Sequence, residues 1–161
     1  MNLSDEVIIP IPRQKVWEGL NDPEILKQCI PGCEEIIKHS DTEMEARVTI
    51  KMGPVKATFK GAVTLSDLDP PNSYRISGEG KSMMGGATGG ANVKLEDVPE
   101  GTRLSYDVDA QVTGKIASLA QRFIEPTARQ LSGQFFETFA EVVSGGGATK
   151  ADGKASKKKK K

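Results

Sequence analysis

The chain has 161 residues, a length that fits one domain, and a formal net charge of zero. This neutrality hides an asymmetry, because residues 150–161 hold seven lysines and one aspartate and so carry +6, which leaves −6 on the rest of the chain. A negatively charged body argues against nucleic-acid binding, and two cysteines with one histidine argue against a disulfide-built fold or a His-rich metal site.

The amino-terminal segment predicts a strand and two short helices. Leu3 to Ile9 is interpreted as the strand, and Arg13 to Leu20 as a helix whose first turn suits Pro12. Asp22 is the expected N-cap of a second helix that runs to about Ile30. The amino terminus lacks the basic start and long apolar stretch of a signal peptide, and no apolar run approaches the roughly 18 residues of a spanning helix. We therefore expect a cytoplasmic protein.

Cys29 and Cys33 flank a Pro-Gly turn and invite a metal or redox interpretation. Zinc normally takes four ligands, and no second Cys or His cluster is present to complete the set. The spacing also differs from the CxxC motif of redox proteins. We interpret both cysteines as small hydrophobic residues, with a reducible disulfide as the alternative, and His39 as a surface residue.

From residue 43 to residue 114 the apolar period changes from 3.6 to 2, which predicts an antiparallel sheet with one solvated face and one packed face. Turns are expected at Gly53-Pro54, Pro70 to Asn72, Met83 to Gly86 and Gly101. The segment GGATGG lies between strands and not before a helix, so it does not predict a phosphate loop. The inward positions include many small residues, which are Ala57, Gly61, Gly78, Gly80, Ala87, Gly89, Ala91, Ala110 and Gly114.

Residues 115–143 predict a long amphipathic helix that packs on the sheet. Its inward side chains recur at spacings of three and four, and they are Ile116, Leu119, Ala120, Phe123, Thr127, Leu131, Phe135, Phe139 and Val142. Pro126 lies inside this helix and is expected to kink or break it about a turn earlier. The predicted fold is α+β, a curved antiparallel sheet of about seven strands wrapped on the long helix, with two short helices after the first strand.

Small residues on the concave face, opposite a helix rich in phenylalanine, predict an apolar cavity between sheet and helix. The alternative is that the glycines only permit the sheet to curve and that the helix packs flush against it. Replacing Gly89 with leucine is expected to fill the cavity. The expected lining residues are Met52, Phe59, Gly78, Gly89, Ala91, Leu119, Phe123, Leu131 and Phe135.

No catalytic group is expected in this cavity. The inward positions of the four clearest strands hold no Asp, Glu, Lys, Arg or His, and Tyr74 and Tyr106 are the only inward groups that titrate. Acid–base catalysis needs a titratable pair within reach of the substrate. The pattern therefore favours binding over catalysis.

Met83 and Met84 lie on a glycine-rich turn at the expected edge of the cavity. Two flexible apolar side chains on such a hinge suit a lip that covers the cavity or touches a membrane. The alternative, that both methionines pack into the core, agrees equally well with the sequence.

The composition changes abruptly after residue 144. Residues 145–161 contain no large apolar residue, so we expect a domain over residues 1–144 followed by a disordered basic tail. The tail ends in Lys157, Lys158, Lys159, Lys160 and Lys161. These lysines suit an anionic membrane surface, an acidic protein partner or solubility alone. We favour the membrane, where each lysine contributes about 1 kcal/mol.

Several segments, in order and spacing over about residues 1–144, resemble the CoxG family of carbon monoxide dehydrogenase subunits. The first ones are Pro12, Val16-Trp17, Leu20, Asp22-Pro23, the sequence CIPGC at 29–33 and Glu34. The later ones are GPVKATFKGAV at 53–63, Pro71, Tyr74, Gly80, GTRLSYDVDAQVTGK at 101–115, and Phe135-Phe136.

This resemblance implies a START-like, helix-grip domain of the SRPBCC superfamily and a non-catalytic accessory role beside a molybdenum-containing carbon monoxide dehydrogenase or a related molybdenum hydroxylase. The family is linked to tethering the enzyme at the cytoplasmic membrane, and helix-grip relatives bind lipids and other hydrophobic molecules between sheet and helix. We therefore expect a carrier of a lipid or quinone, with no covalent cofactor, peripheral on the inner face of the cell membrane. The alternatives are a ligand-free docking or assembly factor and a cyclase- or aromatase-like enzyme.

The tail departs from the resemblance. Longer family members carry a more apolar carboxy-terminal extension, whereas this chain ends in five lysines. We therefore expect reversible, electrostatic docking to the membrane in place of firm anchoring.

Overall fold

The structure is a computed structural model that describes residues 1–144. The predicted basic tail, with Lys157 to Lys161, lies outside the described residues. The strands are β1 (Asn2–Ile9), β2 (Cys33–Lys38), β3 (Glu43–Met52), β4 (Val55–Asp69), β5 (Ser73–Ser82), β6 (Gly85–Val98) and β7 (Gly101–Val112). The helices are α1 (Arg13–Leu20), α2 (Pro23–Cys29) and α3 (Lys115–Val143).

The strands form one open antiparallel sheet in the order β1-β7-β6-β5-β4-β3-β2. Directly opposed residues of neighbouring strands point to the same face of a sheet. Val63 opposes Gly78, which in turn opposes Gly89, so the predicted inward positions share one face. The long helix α3 packs on that face. The α+β fold class predicted from the sequence is confirmed.

The two short helices follow β1 and close one end of the sheet. The carboxylate of Asp22 accepts a hydrogen bond from the backbone N–H of Glu24 at 3.0 Å, so Asp22 is the N-cap of α2 as predicted. Gly19 of α1 lies against the side chains of Val143 and Phe139, close enough that a Cβ there would be 2.8 Å from Val143. This glycine therefore lets α1 approach the carboxy-terminal end of α3.

The strand β2 is the element to which the sequence pattern assigns no residues. Its sequence, CEEIIK, does not alternate between apolar and polar positions, and Ile37 is exposed although its neighbour Ile36 is only partly so. β2 is also the last strand of the sheet and pairs on one side alone, with β3. Its place depends on this pairing and not on a buried face of its own.

The hydrophobic core is divided into two clusters at the two ends of α3. The first cluster lies beside α1 and α2 and includes the fully buried side chains Ile9, Val16, Leu95, Leu104 and Phe139. The second cluster lies at the amino-terminal end of α3 and consists of Met52, Val55, Ala57, Ile116 and Ala120. This division leaves the middle of the sheet without a buried core above it.

The helix α3 is continuous over 29 residues, which corresponds to a length of about 43 Å. Pro126 lies inside the helix, where a kink or break was expected, but it does not end the helix. Its ring is exposed, and its missing N–H leaves the carbonyl of Arg122 without the usual helical partner. Within residues 1–144, no helix combines the length and apolar character that crossing a bilayer requires.

Candidate functional site

Between the two hydrophobic clusters, the inner face of the sheet is partly exposed. The partly exposed sheet positions are Val48, Gly61, Val63, Gly78, Gly89, Ala91, Val108 and Ala110. The inward stripe of α3 between Ala120 and Phe139 is also partly exposed, at Phe123, Thr127, Leu131 and Phe135. We call the space between these two surfaces the central cleft. Its walls are apolar and its sheet side is built mainly from small residues.

The structure brings most of the predicted cavity residues to the central cleft or to its ends. Gly78, Gly89 and Ala91 lie on the sheet side, on the adjacent strands β5 and β6. At one end of the cleft, Met52 is buried in the second cluster and Phe59 packs against that cluster. These positions follow the predicted alternation, because long strands keep one face turned inward.

On the helix side, the predicted residues separate into two groups. Phe123 packs against the second cluster, Phe135 packs against the first, and Leu131 lies between them on the cleft side of α3. Leu119 is different, since 56% of it is exposed. It lies on a flank of the helix and not over the cleft.

The glycines of the inner face differ in the space beside them. A Cβ at Gly78 would meet only the carbonyl oxygen of Ala62 at 3.8 Å and Val63 at 3.9 Å, which are ordinary contacts. A Cβ at Gly89 would lie 2.6 Å from the carbonyl oxygen of Asp109 and 3.2 Å from the Cα of Ala110. Gly89 is therefore required for close approach of β6 and β7. The expectation that leucine at Gly89 would simply fill the cavity is wrong, and Gly78 is the position that has room.

One side of the central cleft carries polar groups that the sequence pattern missed. Asp5 of β1 opposes Tyr106 of β7 and shares its face of the sheet. Burial raises the pKa of the Tyr106 phenol and the Asp5 carboxylate raises it further, whereas a hydrogen bond with Ser132 and the positive charge of Arg129 lower it. The phenol therefore stays neutral at physiological pH. The alternation of Leu3, Asp5 and Val7 is the signal that places Asp5 inward.

The other predicted inward titratable group, Tyr74, is fully packed in the first cluster. Its ring meets the ring of Trp17 edge to face, with 5.3 Å between the ring centres, and burial raises its pKa. Cys29 is also buried, and burial raises the pKa of its thiol to about 12. Both side chains act as parts of the core, because neither ionises under ordinary conditions.

Met83 and Met84 separate at the tip of the turn between β5 and β6. Met84 packs against the second cluster, and its carbonyl accepts a hydrogen bond from the N–H of Ile116 at 2.9 Å. Met83 is fully exposed. Each of the two interpretations of this turn therefore fits one of its methionines.

Two open depressions of about 360 and 270 Å³ lie outside the central cleft, on the outer face and edge where β1, β6 and β7 meet. Their lining is mainly polar, with Thr88, Asn92 and Asp109 among the residues. Such shallow polar surfaces do not suit a hydrophobic ligand. In the described part of the chain, no three His, Cys, Asp or Glu side chains are grouped so that they could hold a metal ion.

The comparison with protein families decides the relationship that these features indicate. The family of the carbon monoxide dehydrogenase CoxG subunit matches residues 6–144. The chain belongs to the CoxG family. No curated protein matches this family member in sequence.

Solved structures agree with the helix-grip architecture of this CoxG-family chain. A conserved protein from Geobacillus kaustophilus superposes with a TM-score of 0.83 at 26% identity, covering 89% of this chain and 95% of that chain. The Zhui aromatase/cyclase from Streptomyces sp. R1128 gives a TM-score of 0.66 at 14% identity, covering 92% and 96%. Ara h 8.0201 gives 0.63 at 15% identity, covering 89% and 97%. The last two likenesses concern the fold alone.

Proposed function

We propose that this CoxG-family protein binds a lipid or quinone in the central cleft and couples a molybdenum hydroxylase of the carbon monoxide dehydrogenase type to the inner face of the cell membrane. The divided core carries the first half of this proposal. Facing apolar surfaces of the sheet and of α3 are left partly exposed between two buried clusters. A hydrophobic ligand in the cleft would remove this area from water, at about 25 cal/mol per Å².

The chemistry of the cleft supports a carrier and not an enzyme. Along β3 to β7 the inward positions hold no Asp, Glu, Lys, Arg or His, so the walls offer no acid–base pair. The Tyr106 phenol beside Asp5 has a raised pKa and therefore donates a hydrogen bond more readily than it ionises. Such a donor suits a carbonyl or headgroup oxygen of an otherwise apolar ligand.

The membrane and hydroxylase parts of the proposal come from the family and from the basic tail. Members of an accessory family act beside their enzyme, and a hydrophobic electron acceptor held in the cleft would give that enzyme a route to the membrane. Lys157 to Lys161 would hold the carrier near anionic lipid by charge alone. A ligand-free docking or assembly factor is the second candidate, because the same fold with an unoccupied cleft would still present an outer face to the enzyme.

Extraction of the purified full-length protein with organic solvent, followed by mass spectrometry of the extract, tests the proposal. We expect a quinone or lipid in stoichiometric amount. The stripped protein should then bind decylubiquinone, measured by quenching of Trp17, the one tryptophan of the chain. An empty extract together with no quenching by decylubiquinone would contradict ligand binding and favour the docking factor.

A further inference from the structure

Three separate stretches of the chain meet at one end of the molecule. They are the β3–β4 turn (51–56), the β5–β6 turn (81–86) and the start of α3 (113–123). The N–H of Ile116 donates to the carbonyl of Met84 at 2.9 Å, and the N–H of Thr113 donates to that of Gly86 at 2.9 Å. The ring of Phe123 covers Gly53 so closely that a Cβ there would lie 2.5 Å from it. We call these three stretches together the basic tip.

The basic tip is positively charged although the body of the chain is negative. Its three stretches contain no Asp or Glu, and they carry Lys51, Lys56, Lys81, Lys115 and Arg122. Within residues 1–144, no carboxylate lies within 4.0 Å of these cations.

The carboxylate that acts on the tip from nearby is Glu34, which influences Lys56. Glu34 accepts hydrogen bonds from Arg47 at 2.8 Å and from Thr49 at 2.9 Å. Its charge is therefore already matched on the outer face of the sheet. The tip remains a cluster of positive charge.

The same end exposes two large apolar side chains among its cations. Met83 is fully exposed at the β5–β6 turn. Leu119 is 56% exposed, and it lies one helical turn from Lys115 on one side and from Arg122 on the other. The other exposed large apolar side chains of the described chain, Ile8, Ile37 and Leu68, are 41–42% exposed and lie outside the tip.

The basic tip also adjoins one end of the central cleft. The guanidinium of Arg122 lies 5.9 Å from the ring centre of Phe123, and Phe123 packs at the cleft end formed by the second cluster. A molecule that leaves the surface bound to the tip therefore reaches the cleft without crossing the outer face.

We propose that the basic tip docks on an anionic lipid surface, with Met83 and Leu119 inserted at the headgroup level and the five cations among the headgroups. This inference rests on the proposed membrane coupling and names the surface that performs it. Four of the five cations are lysines, which are depleted in protein–protein interfaces, whereas lysines around protruding apolar residues are typical of interfacial membrane binding. The occupant is therefore lipid and not an acidic protein.

Co-sedimentation of the full chain with phosphatidylcholine vesicles, with and without phosphatidylglycerol, tests this proposal. Lys115→Gln combined with Arg122→Gln should lower the partition coefficient on anionic vesicles roughly ten- to thirtyfold. The matched control, Lys27→Gln with Lys94→Gln, removes the same charge outside the tip and should have a much smaller effect. Likewise, Met83→Asn with Leu119→Asn should weaken binding, whereas Ile37→Asn with Leu68→Asn should not.

A full chain with all five of Lys157 to Lys161 replaced by serine separates the tip from the tail. If the tip docks, this variant still sediments with anionic vesicles and loses that binding when the tip substitutions are added. If it does not sediment while the tip variants of the native chain bind normally, the tip proposal is overturned and coupling through the tail stands. If no form of the chain binds, membrane coupling itself is overturned, and an acidic protein becomes the partner of the tip. Thermal melting of each variant confirms that it is folded.

Discussion

Glycines on the inner face of the sheet serve two different packing requirements. At Gly61 a Cβ would collide with the carbonyl oxygen of Glu79, and at Gly89 it would collide with that of Asp109, so these two glycines permit close approach of neighbouring strands. At Gly78 and Gly80 the nearest atoms lie at 3.5 Å or more, so these two leave space. The first pair fits the idea that glycines accommodate the sheet, and the second pair fits an open cleft.

Gly78→Leu should therefore block the cleft without harming the fold. The Cβ meets ordinary contacts and the rest of the side chain extends into the cleft, so we expect the Kd for decylubiquinone to rise at least about tenfold, while the free energy of unfolding changes by less than about 1 kcal/mol. Quenching of Trp17 measures the first quantity and urea denaturation the second.

The matched control is Gly133→Leu, because Gly133 lies on the exposed face of α3 with nothing within 4 Å of its ideal Cβ. This variant should bind decylubiquinone as the parent does. A loss of roughly 1–3 kcal/mol in Gly78→Leu would indicate an interior that is already packed, in which case the cleft holds no ligand.

The sequence predicted which residues face inward, but not which of them leave space. Alternation is a local property, so it placed Gly78 and Gly89 on the same face correctly. Whether a Cβ fits depends on the approach of the next strand, which is 2.6 Å from the ideal Cβ at Gly89 and 3.8 Å at Gly78. Asp5 was missed because its role arises from pairing with Tyr106, 101 positions later in the chain.

At the scale of elements, α3 connects the two halves of the molecule. Its first turns complete the second cluster through Ile116 and Ala120, and its last turns complete the first cluster through Phe139. Pro126 lies between these contacts in the stretch above the central cleft, and it is exposed. The helix is therefore held at both ends by packing, and this tertiary packing outweighs the local cost of an internal proline. Sequence periodicity gave no measure of that packing, which is why a break was among the expectations.

Pro126→Ala should stabilise the protein. Alanine restores the hydrogen bond to the carbonyl of Arg122 and removes a penalty of about 3 kcal/mol, part of which is offset because alanine gives the unfolded chain more freedom than proline. We expect the free energy of unfolding to rise by about 2 kcal/mol in urea denaturation. Gly133→Ala, in the same helix and also exposed, should add about 0.5–1 kcal/mol and serves as the reference. Equal or lower stability of Pro126→Ala would show that α3 is bent at this point in solution.

At the scale of the whole molecule, charge is unevenly distributed along the axis of α3. All acidic side chains of residues 1–144 lie outside the basic tip, and the chain leaves the described structure after Ser144, at the opposite end of α3. The order of elements and the seven-stranded sheet could be predicted because each long strand carries its own alternation. The tip could not, because it forms only when three stretches separated by about 30 residues meet in the folded chain.

This distribution predicts one orientation on the membrane. An environment-sensitive fluorophore attached to Met83→Cys should shift to the blue on anionic vesicles, because position 83 enters the headgroup region. The same fluorophore on Leu68→Cys should not change, because Leu68 lies near the far end of β4, about 40 Å from the tip, well beyond a Debye length of about 8 Å. Both variants carry Cys33→Ser, and Cys29 is buried with a thiol pKa raised to about 12, so the label reacts at one site. A blue shift at position 68 with none at position 83 would mean that the molecule docks through its opposite end, where the chain continues beyond Ser144, and that the tip faces away from the membrane.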